Sequence, residues 1–351
     1  MSSTTATTHD KPLPDWERLS FALTETDWLY RTFGESKSTP VWDDGAWTPF
    51  ADIKISPAAA FVSYGLGIFE GLKAQKALDG RVLLFRPEKN AERFQHSARR
   101  LLMEPFPVER FVETTVELVR RNARFIPPCE KGSFYIRPLE HAIEPKLGLG
   151  PCSRFAVTMF GSPVGSYFSG GKPAGVRLRV LEQGRVAPGG TGNAKAMGNY
   201  AGGIAIASRW RQEGYDDVLY LDARHLQYVT ETSGSNVFVR LRDGTIVTPP
   251  LDDQILAGIT RQSAIDVARE TLGLTIDERA LPIDEVIADG VEIFCTGTAW
   301  TVQSVREIVY KDRTHSFPAE DVRRSLLDVL RGIQTGARED PFGWVHEVEI
   351  D

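Results

Sequence analysis

GGTGNAKAMGNY, residues 189–200, decides how the rest of the chain is read. It sets one lysine, Lys195, among four glycines with no other charge, so backbone can approach a ligand closely around a single ammonium. Gly-rich turns with one lysine are common, and most such lysines are merely solvated. A Walker-type phosphate loop is excluded: that pattern needs Gly-Lys followed by Ser or Thr, and Lys195 lies between Ala194 and Ala196. Two neighbours raise Lys195 above the background. Tyr200 stands five positions on, and Glu231 is the second residue of the motif TETSGSNVF over residues 230–238.

A lysine, a phenol and a buried carboxylate are needed together in pyridoxal phosphate catalysis. The lysine forms a Schiff base with the cofactor aldehyde, and the acid keeps the pyridine nitrogen protonated so that the ring can accept electrons. A phenol can hydrogen-bond the ring's 3-oxygen and help set the acidity of the imine.

Outward from that loop, residues 175–181 read as a strand and 199–212 as a helix. DVLYL, SNVFVRL and TIVTPP read as further strands, with Asp243-Gly244 turning the last two. LAGITRQSAIDVARETLG reads as a helix that opens at Gly258–Thr260 and stops at Gly273. On the N-terminal side, WDDGAW and ALDGRV suggest hairpins, followed by helices from Pro87 to Met103 and from Val108 to Phe125. FYIRPL and RFAVTMF read as buried strands, separated by the irregular loop AIEPKLGLGPCS. The Pro- and Gly-rich stretch 162–175 is the best domain boundary. The expected organisation is a flexible tail over 1–15, a smaller α/β domain over 16–165, a connecting loop over 166–175 and a larger α/β domain over 176–351.

Composition narrows the partners. The chain has 351 residues, 42% of them hydrophobic, and a net charge of −6 with no Lys/Arg run, which argues against nucleic acid and for a small ligand. Three cysteines without CxxC spacing indicate neither a disulfide framework nor a metal cage, and are expected to be buried thiols. No apolar run suits a membrane span, and the start lacks a hydrophobic signal core, so the expected compartment is the cytosol.

Several long motifs in order resemble the fold-type IV pyridoxal phosphate enzymes and, within them, the branched-chain amino acid aminotransferases: YGLGIFEGLKA, LLFRPEKNAERF, FYIRPL, GGTGNAKAMGNYA, GYDDVLYLD, TETSGSNVF, LAGITRQS, FCTGTA and GIQTGAREDPFGWV. The resemblance runs from about Trp42 to the C-terminus. It implies an α/β fold of α+β type in two domains, with pyridoxal 5'-phosphate between them. Lys195 then holds the cofactor and Tyr200 and Glu231 contact its ring. Arg93 binds its phosphate, where a guanidinium can grip two oxygens, opposite the helix N-terminus at Ile259 and Thr260. Thr298 or Thr296 adds a phosphate contact, and the N–H groups of Thr298 and Ala299 receive the substrate carboxylate. Tyr64, Phe69, Tyr135, Arg137 and Tyr167 line the substrate pocket, with Arg137 suited to the side-chain carboxylate of glutamate. Leu147 and Leu149 close the neighbouring subunit's pocket, which implies a homodimer. Asn236 is expected to make only a structural hydrogen bond.

The implied reaction is ping-pong transfer of an amino group from leucine, isoleucine, valine or a related L-amino acid to 2-oxoglutarate. A lyase or D-amino acid aminotransferase of the same fold and a cofactor-holding protein without turnover are the rivals. Departures from the family pattern bear on the donor. Glu140 and His141 follow YIRPL where a small apolar run is usual, Trp300 and Gln303 follow FCTGTA, and Met197 stands where a small residue is frequent. Either Glu140 and His141 face solvent and Trp300 packs away from the pocket, or the side-chain pocket is reshaped for a larger or more polar donor.

Overall fold

Turn glycines set the first sheet. Gly45 and Gly80 take φ of 73° and 92° in WDDGAW and ALDGRV, a region side chains rarely enter. In this computed structural model, which describes residues 11–165 and 175–350, both motifs join hairpins. The strands are β1 (Trp28–Glu35), β2 (Ala46–Pro49), β3 (Gly67–Phe69), β4 (Leu72–Lys76), β5 (Val82–Phe85), β6 (Ser133–Ala142) and β7 (Arg154–Val164). They run β5-β4-β6-β7-β1-β2, with β3 also beside β6, and every pairing is antiparallel.

An eighth strand, Val345–Val348, pairs antiparallel with β5. This corrects the expected boundary, because residues 334–351 group with the first compact unit (Met1–Ser169, Gln334–Asp351) and not with the second (Gly170–Ile333). Four residues that complete a remote sheet carry no local sign of which sheet they join. The expected tail and connecting loop fall mostly outside the described residues.

Helices α1 (Ala60–Tyr64), α2 (Pro87–Arg100) and α3 (Val108–Arg121) belong to the same unit. Pro87 opens α2, as its fixed φ favours. α2 buries Phe94 and Ala98, and α3 buries Phe111, Val116 and Val119, in one core with Phe134, Ile136, Phe155 and Val157 of the sheet. Successive strand residues alternate faces. Tyr135, Arg137, Leu139 and His141 therefore lie on the opposite face from that core, and Glu140 points into it.

Glu140 is fully buried, opposite Ile68 and Val157, and neither carboxylate oxygen has a hydrogen-bond partner among the described residues. Burial, reinforced by Glu104, pushes its carboxyl well above the ordinary 4.5. The folded chain thus keeps a proton that the unfolded chain releases above about pH 4.5, so this residue costs stability as pH rises. Glu140→Leu removes an unsatisfied group and is expected to gain about 1–3 kcal/mol at pH 8. Calorimetry at pH 8 and pH 5 checks this: the gain in melting temperature should be smaller at pH 5.

The second unit holds β8 (Val176–Leu181), β9 (Asp217–Leu221), β10 (Val229–Thr232), β11 (Asn236–Leu241), β12 (Ile246–Thr248), β13 (Ile276–Glu278), β14 (Gly290–Gly297), β15 (Thr301–Tyr310) and β16 (Arg313–Ser316). Their order is β10-β9-β8-β15-β14-β11-β12-β13, with β16 beside β15. A further pairing of β10 with β11, at Glu231 opposite Asn236, closes six strands into a ring. Parallel pairs β8–β9, β8–β15 and β12–β13 make the sheet mixed.

The helix expected over 199–212 is instead two, α4 (Met197–Ala201) and α5 (Ile204–Gln212), because Gly202 and Gly203 interrupt it. α6 (Ile259–Asp266) starts at Gly258 as predicted, runs on as a π-type turn through Thr271, and ends at Gly273 with φ 65°. Among the described residues no helix is long and apolar enough to cross a membrane. Cys152 and Cys295 are buried, as expected, while Cys129 is only half-buried.

Candidate active site

The lysine loop is held in shape from beneath. Asn199, in the first turn of α4, donates to Thr191 O (2.7 Å) and Ala194 O (3.0 Å), which folds the loop back on its own helix. Segment 252–256 supports the other side. Asp253 accepts from the Gly189 N–H, and a Cβ at Gly192 would lie 2.6 Å from Gln254 Cα, so that glycine permits the close approach. Lys195 emerges from this clamp half-buried, its Nζ 3.0 Å from Tyr200 Oη and 5.1 Å from the centre of that ring. The five-residue spacing brings ammonium and phenol together.

Glu231 sits where the ring of strands closes and is 4% exposed. Burial pushes its carboxyl up to about 7, against the opposing pull of Arg185, of the Leu256 N–H and of Lys195. Arg185 forms an ion pair with Glu231, and its Nη2 also donates to Gly192 O and Gln254 O, both at 3.2 Å. One guanidinium thus ties the acid to the lysine loop. The sequence reading missed Arg185, which stands in the irregular run EQGRVAPGG with no periodicity to mark it.

Three motifs converge at Asn236. In register it lies opposite both Glu231 and Thr296. Its Nδ2 donates to Leu256 O at 2.9 Å, the structural bond expected of it. A Cβ at Gly258 would come within 2.0 Å of Asn236 Oδ1, so only glycine fits there. Gly258 is the N-cap of α6 and no side chain caps that helix, so the N–H groups at Ile259 and Thr260 begin an anion-attracting terminus. Thr298 and Ala299 occupy the turn between β14 and β15. Trp300 shares that turn, half-buried, and Gln303 pairs in register with Cys295 on β14. Met197 opens α4, partly exposed.

The first unit gathers the remaining candidates. Arg93, on α2, is held by the buried carboxylate of Glu70 at 2.7 Å (Nε) and 2.8 Å (Nη2), which fixes the plane of its guanidinium. Asn90 donates to the same carboxylate at 2.7 Å. Glu70 was legible only as part of GIFEGLKA, without a role. On the face of the sheet away from the hydrophobic core, Arg137 stacks 4.9 Å over Phe69 and its Nη2 lies 3.2 Å from Tyr135 Oη. A Cβ at Gly71 would meet that phenol oxygen at 2.0 Å. Phe69, Tyr135 and Arg137 therefore cluster on one face of this sheet. Tyr64 donates to Leu147 O, while Leu147 and Leu149 are 89% and 85% exposed. Tyr167 lies outside the described residues. Glu140 and His141 are both buried, which overturns the expectation that they face solvent; Glu140 points into the core and so cannot reshape a pocket on this face, whereas His141 lies on it.

Comparison with known proteins agrees with this geometry. The family described as amino-transferase class IV matches residues 67–308. The chain is 42% identical over 347 residues to branched-chain-amino-acid aminotransferase 5, chloroplastic, of Arabidopsis thaliana, covering 98% of this chain and 82% of that protein. It is also 38% identical to a methionine aminotransferase of Arabidopsis thaliana, covering 96% and 93%. Among solved structures, the branched-chain aminotransferase of the thermophilic archaeon Thermoproteus uzoniensis with norvaline superposes with a TM-score of 0.78 at 28% identity, covering 92% of this chain and 100% of that one. With its lysine, phenol and buried acid in place and a match across most of its length, the chain belongs to the class IV aminotransferases, in the branched-chain aminotransferase group.

Proposed function

We propose that this protein is a pyridoxal 5'-phosphate-dependent L-amino acid aminotransferase of branched-chain type that uses 2-oxoglutarate as acceptor in a ping-pong cycle. The observation that carries this is Lys195 Nζ at 3.0 Å from Tyr200 Oη in the same unit as a buried, Arg-paired Glu231. The residues fit the cofactor. A fully buried carboxyl that burial drives toward neutrality suits a pyridinium partner, and an uncapped helix terminus suits a phosphate. When bound, the cofactor supplies the electron sink that makes the substrate's α-proton removable.

The protein's own groups do the rest. Lys195 would hold the cofactor, and its Nζ would carry the proton taken from the substrate. Tyr200 holds that nitrogen's surroundings by hydrogen bonding, and Glu231 keeps the ring nitrogen protonated, steadied by Arg185. Arg93 supplies the phosphate's cationic contact in an orientation set by Glu70. Thr298 and Ala299 offer N–H groups to the substrate carboxylate, and Arg137 offers a cation to the side-chain carboxylate of glutamate.

A donor panel with 2-oxoglutarate tests the substrate class. Leucine, isoleucine and valine should exceed phenylalanine and ornithine in kcat/KM by tenfold or more. Methionine should fall within about 200-fold of leucine, since one methylene in an apolar site is worth only about 1–3 kcal/mol. A lead for ornithine or phenylalanine would favour the alternative of a larger or more polar donor, with His141, Trp300, Gln303 and Met197 as its determinants. The exposure of Leu147 and Leu149 supports a homodimer in which each loop covers the other copy's site. Sedimentation at micromolar protein should give twice the chain mass, and Leu147→Asp with Leu149→Asp should shift it toward monomer. The cytosol is the compartment we assign, to be checked by fractionation.

A further inference from the structure

Asp217 is a largely buried acid with no part in the cycle described above. It opens β9, and its side chain is 14% exposed. Alternate residues of a strand share a face, so Asp217 lies on the face of Leu219, which pairs with Thr232 at the end of β10. Its carboxylate reaches the turn that carries the chain from β10 into β11. Ser233 Oγ donates to Asp217 Oδ1 at 2.5 Å, and Arg211 Nη2 of α5 stands 4.0 Å from the same oxygen. Burial pushes this carboxyl above its ordinary 3.8, against the opposing pull of the Ser233 hydroxyl, the Val218 N–H, Arg211 and the Thr232 hydroxyl. An acid held out of water needs partners, and both hydroxyls that reach it belong to one turn.

That turn is braced from within. The Thr232 N–H donates to Ser235 O at 3.0 Å, and the N–H groups of Gly234 and Ser235 donate to Thr232 Oγ1 at 3.3 and 3.1 Å. The Thr232 and Ser235 hydroxyls lie 2.6 Å apart. These bonds fix the shape of the turn, and the bond from Ser233 to Asp217 ties that shape to β9. On its other side the turn meets the end of β14. A Cβ at Gly297 would lie 3.6 Å from Gly234 O and 3.7 Å from Ser235 Cβ, so the Gly297 backbone rests close over the turn. Gly297 leads directly into Thr298 and Ala299.

We propose that Asp217 is a positioning residue for the substrate carboxylate: through Ser233 it holds the 232–235 turn in place beneath the Gly297–Trp300 turn. This rests on the reading of Thr298 and Ala299 as the carboxylate's donors. Two backbone N–H groups grip a carboxylate only when both point at it. A shift of the supporting turn therefore weakens binding of every substrate, donor and acceptor alike. Glu231, paired with Arg185, and Lys195, in its own clamp, keep their places.

The probe is 4-methylpentanoate, which has the skeleton and carboxylate of leucine but no amine to react. Its binding to holoenzyme is measured by titration calorimetry, beside steady-state kinetics and melting temperature, in Asp217→Ala, Asp217→Asn, Ser233→Ala and the double variant of the two alanine changes. In Asp217→Ala and Ser233→Ala, the Kd of the probe and the KM of both leucine and 2-oxoglutarate should rise together by about tenfold, with kcat changed less than about threefold. Asp217→Asn keeps an acceptor for the Ser233 hydroxyl and should restore part of the affinity. The double variant should bind no more weakly than either single one. Ser233→Ala carries the test should Asp217→Ala fail to fold. Unchanged probe binding in the folded alanine variants, or a fall in kcat with Kd and KM unmoved, overturns the role of Asp217 alone. A wild type that does not bind 4-methylpentanoate overturns the carboxylate site itself, and the role of Asp217 with it.

Discussion

Lys195→Ala loses amino transfer by about a thousandfold or more, because Lys195 is the amine held beside Tyr200 to take and return the substrate proton. The loss should appear in kcat with both leucine and 2-oxoglutarate, and the visible absorption of the lysine-bound cofactor should vanish with it. Added amines such as methylamine should restore a fraction of the rate if the missing group is a base. Full activity in this variant would remove the basis of the assignment.

The second large effect concerns Glu231. Glu231→Gln keeps the shape of the residue but cannot hold a proton on the ring nitrogen, so turnover should fall by about two to four orders of magnitude while cofactor stays bound through Lys195 and Arg93. The cofactor-free protein gives an independent readout. Glu231 titrates at about 7 in the fold against an ordinary 4.5. Between those values the unfolded chain has lost the proton and the folded chain keeps it, so stability falls as pH rises across the window and the full penalty stands above about pH 7. That penalty is on the order of 3 kcal/mol. Cofactor-free Glu231→Gln should therefore lose most of this slope and melt higher than wild type at pH 8, but not at pH 4. Glu140 contributes a slope of the same sign, so the comparison is with wild type and not with a flat line. An unchanged slope would mean that the acid is not buried as described.

Much of the site could be read before the fold, because its parts sit in contiguous motifs whose spacing carries the chemistry. Lys195 and Tyr200 are five residues apart, and Gly258 announces the helix terminus at Thr260. The supports were harder to see. Arg185 and Glu70 act through partners 46 and 23 residues away, and nothing local in EQGRVAPGG or GIFEGLKA names those partners. The contrast between Glu140 and His141 was hidden for a different reason. Adjacent strand residues face opposite ways, so which of the two enters the core depends on register, which only the neighbouring strands set. The split of the expected helix at Gly202 and Gly203 was visible in composition, yet helical periodicity on either side masked it.

The strand Val345–Val348 has a consequence for how the protein is made. Its partner β5 leaves the ribosome among the first hundred residues, but the strand that covers it comes more than 250 residues later. At about 5–20 residues per second, β5 waits for some tens of seconds with one row of backbone N–H and C=O groups bare, the condition that invites pairing with another nascent chain. The first sheet to begin folding is thus the last to be finished.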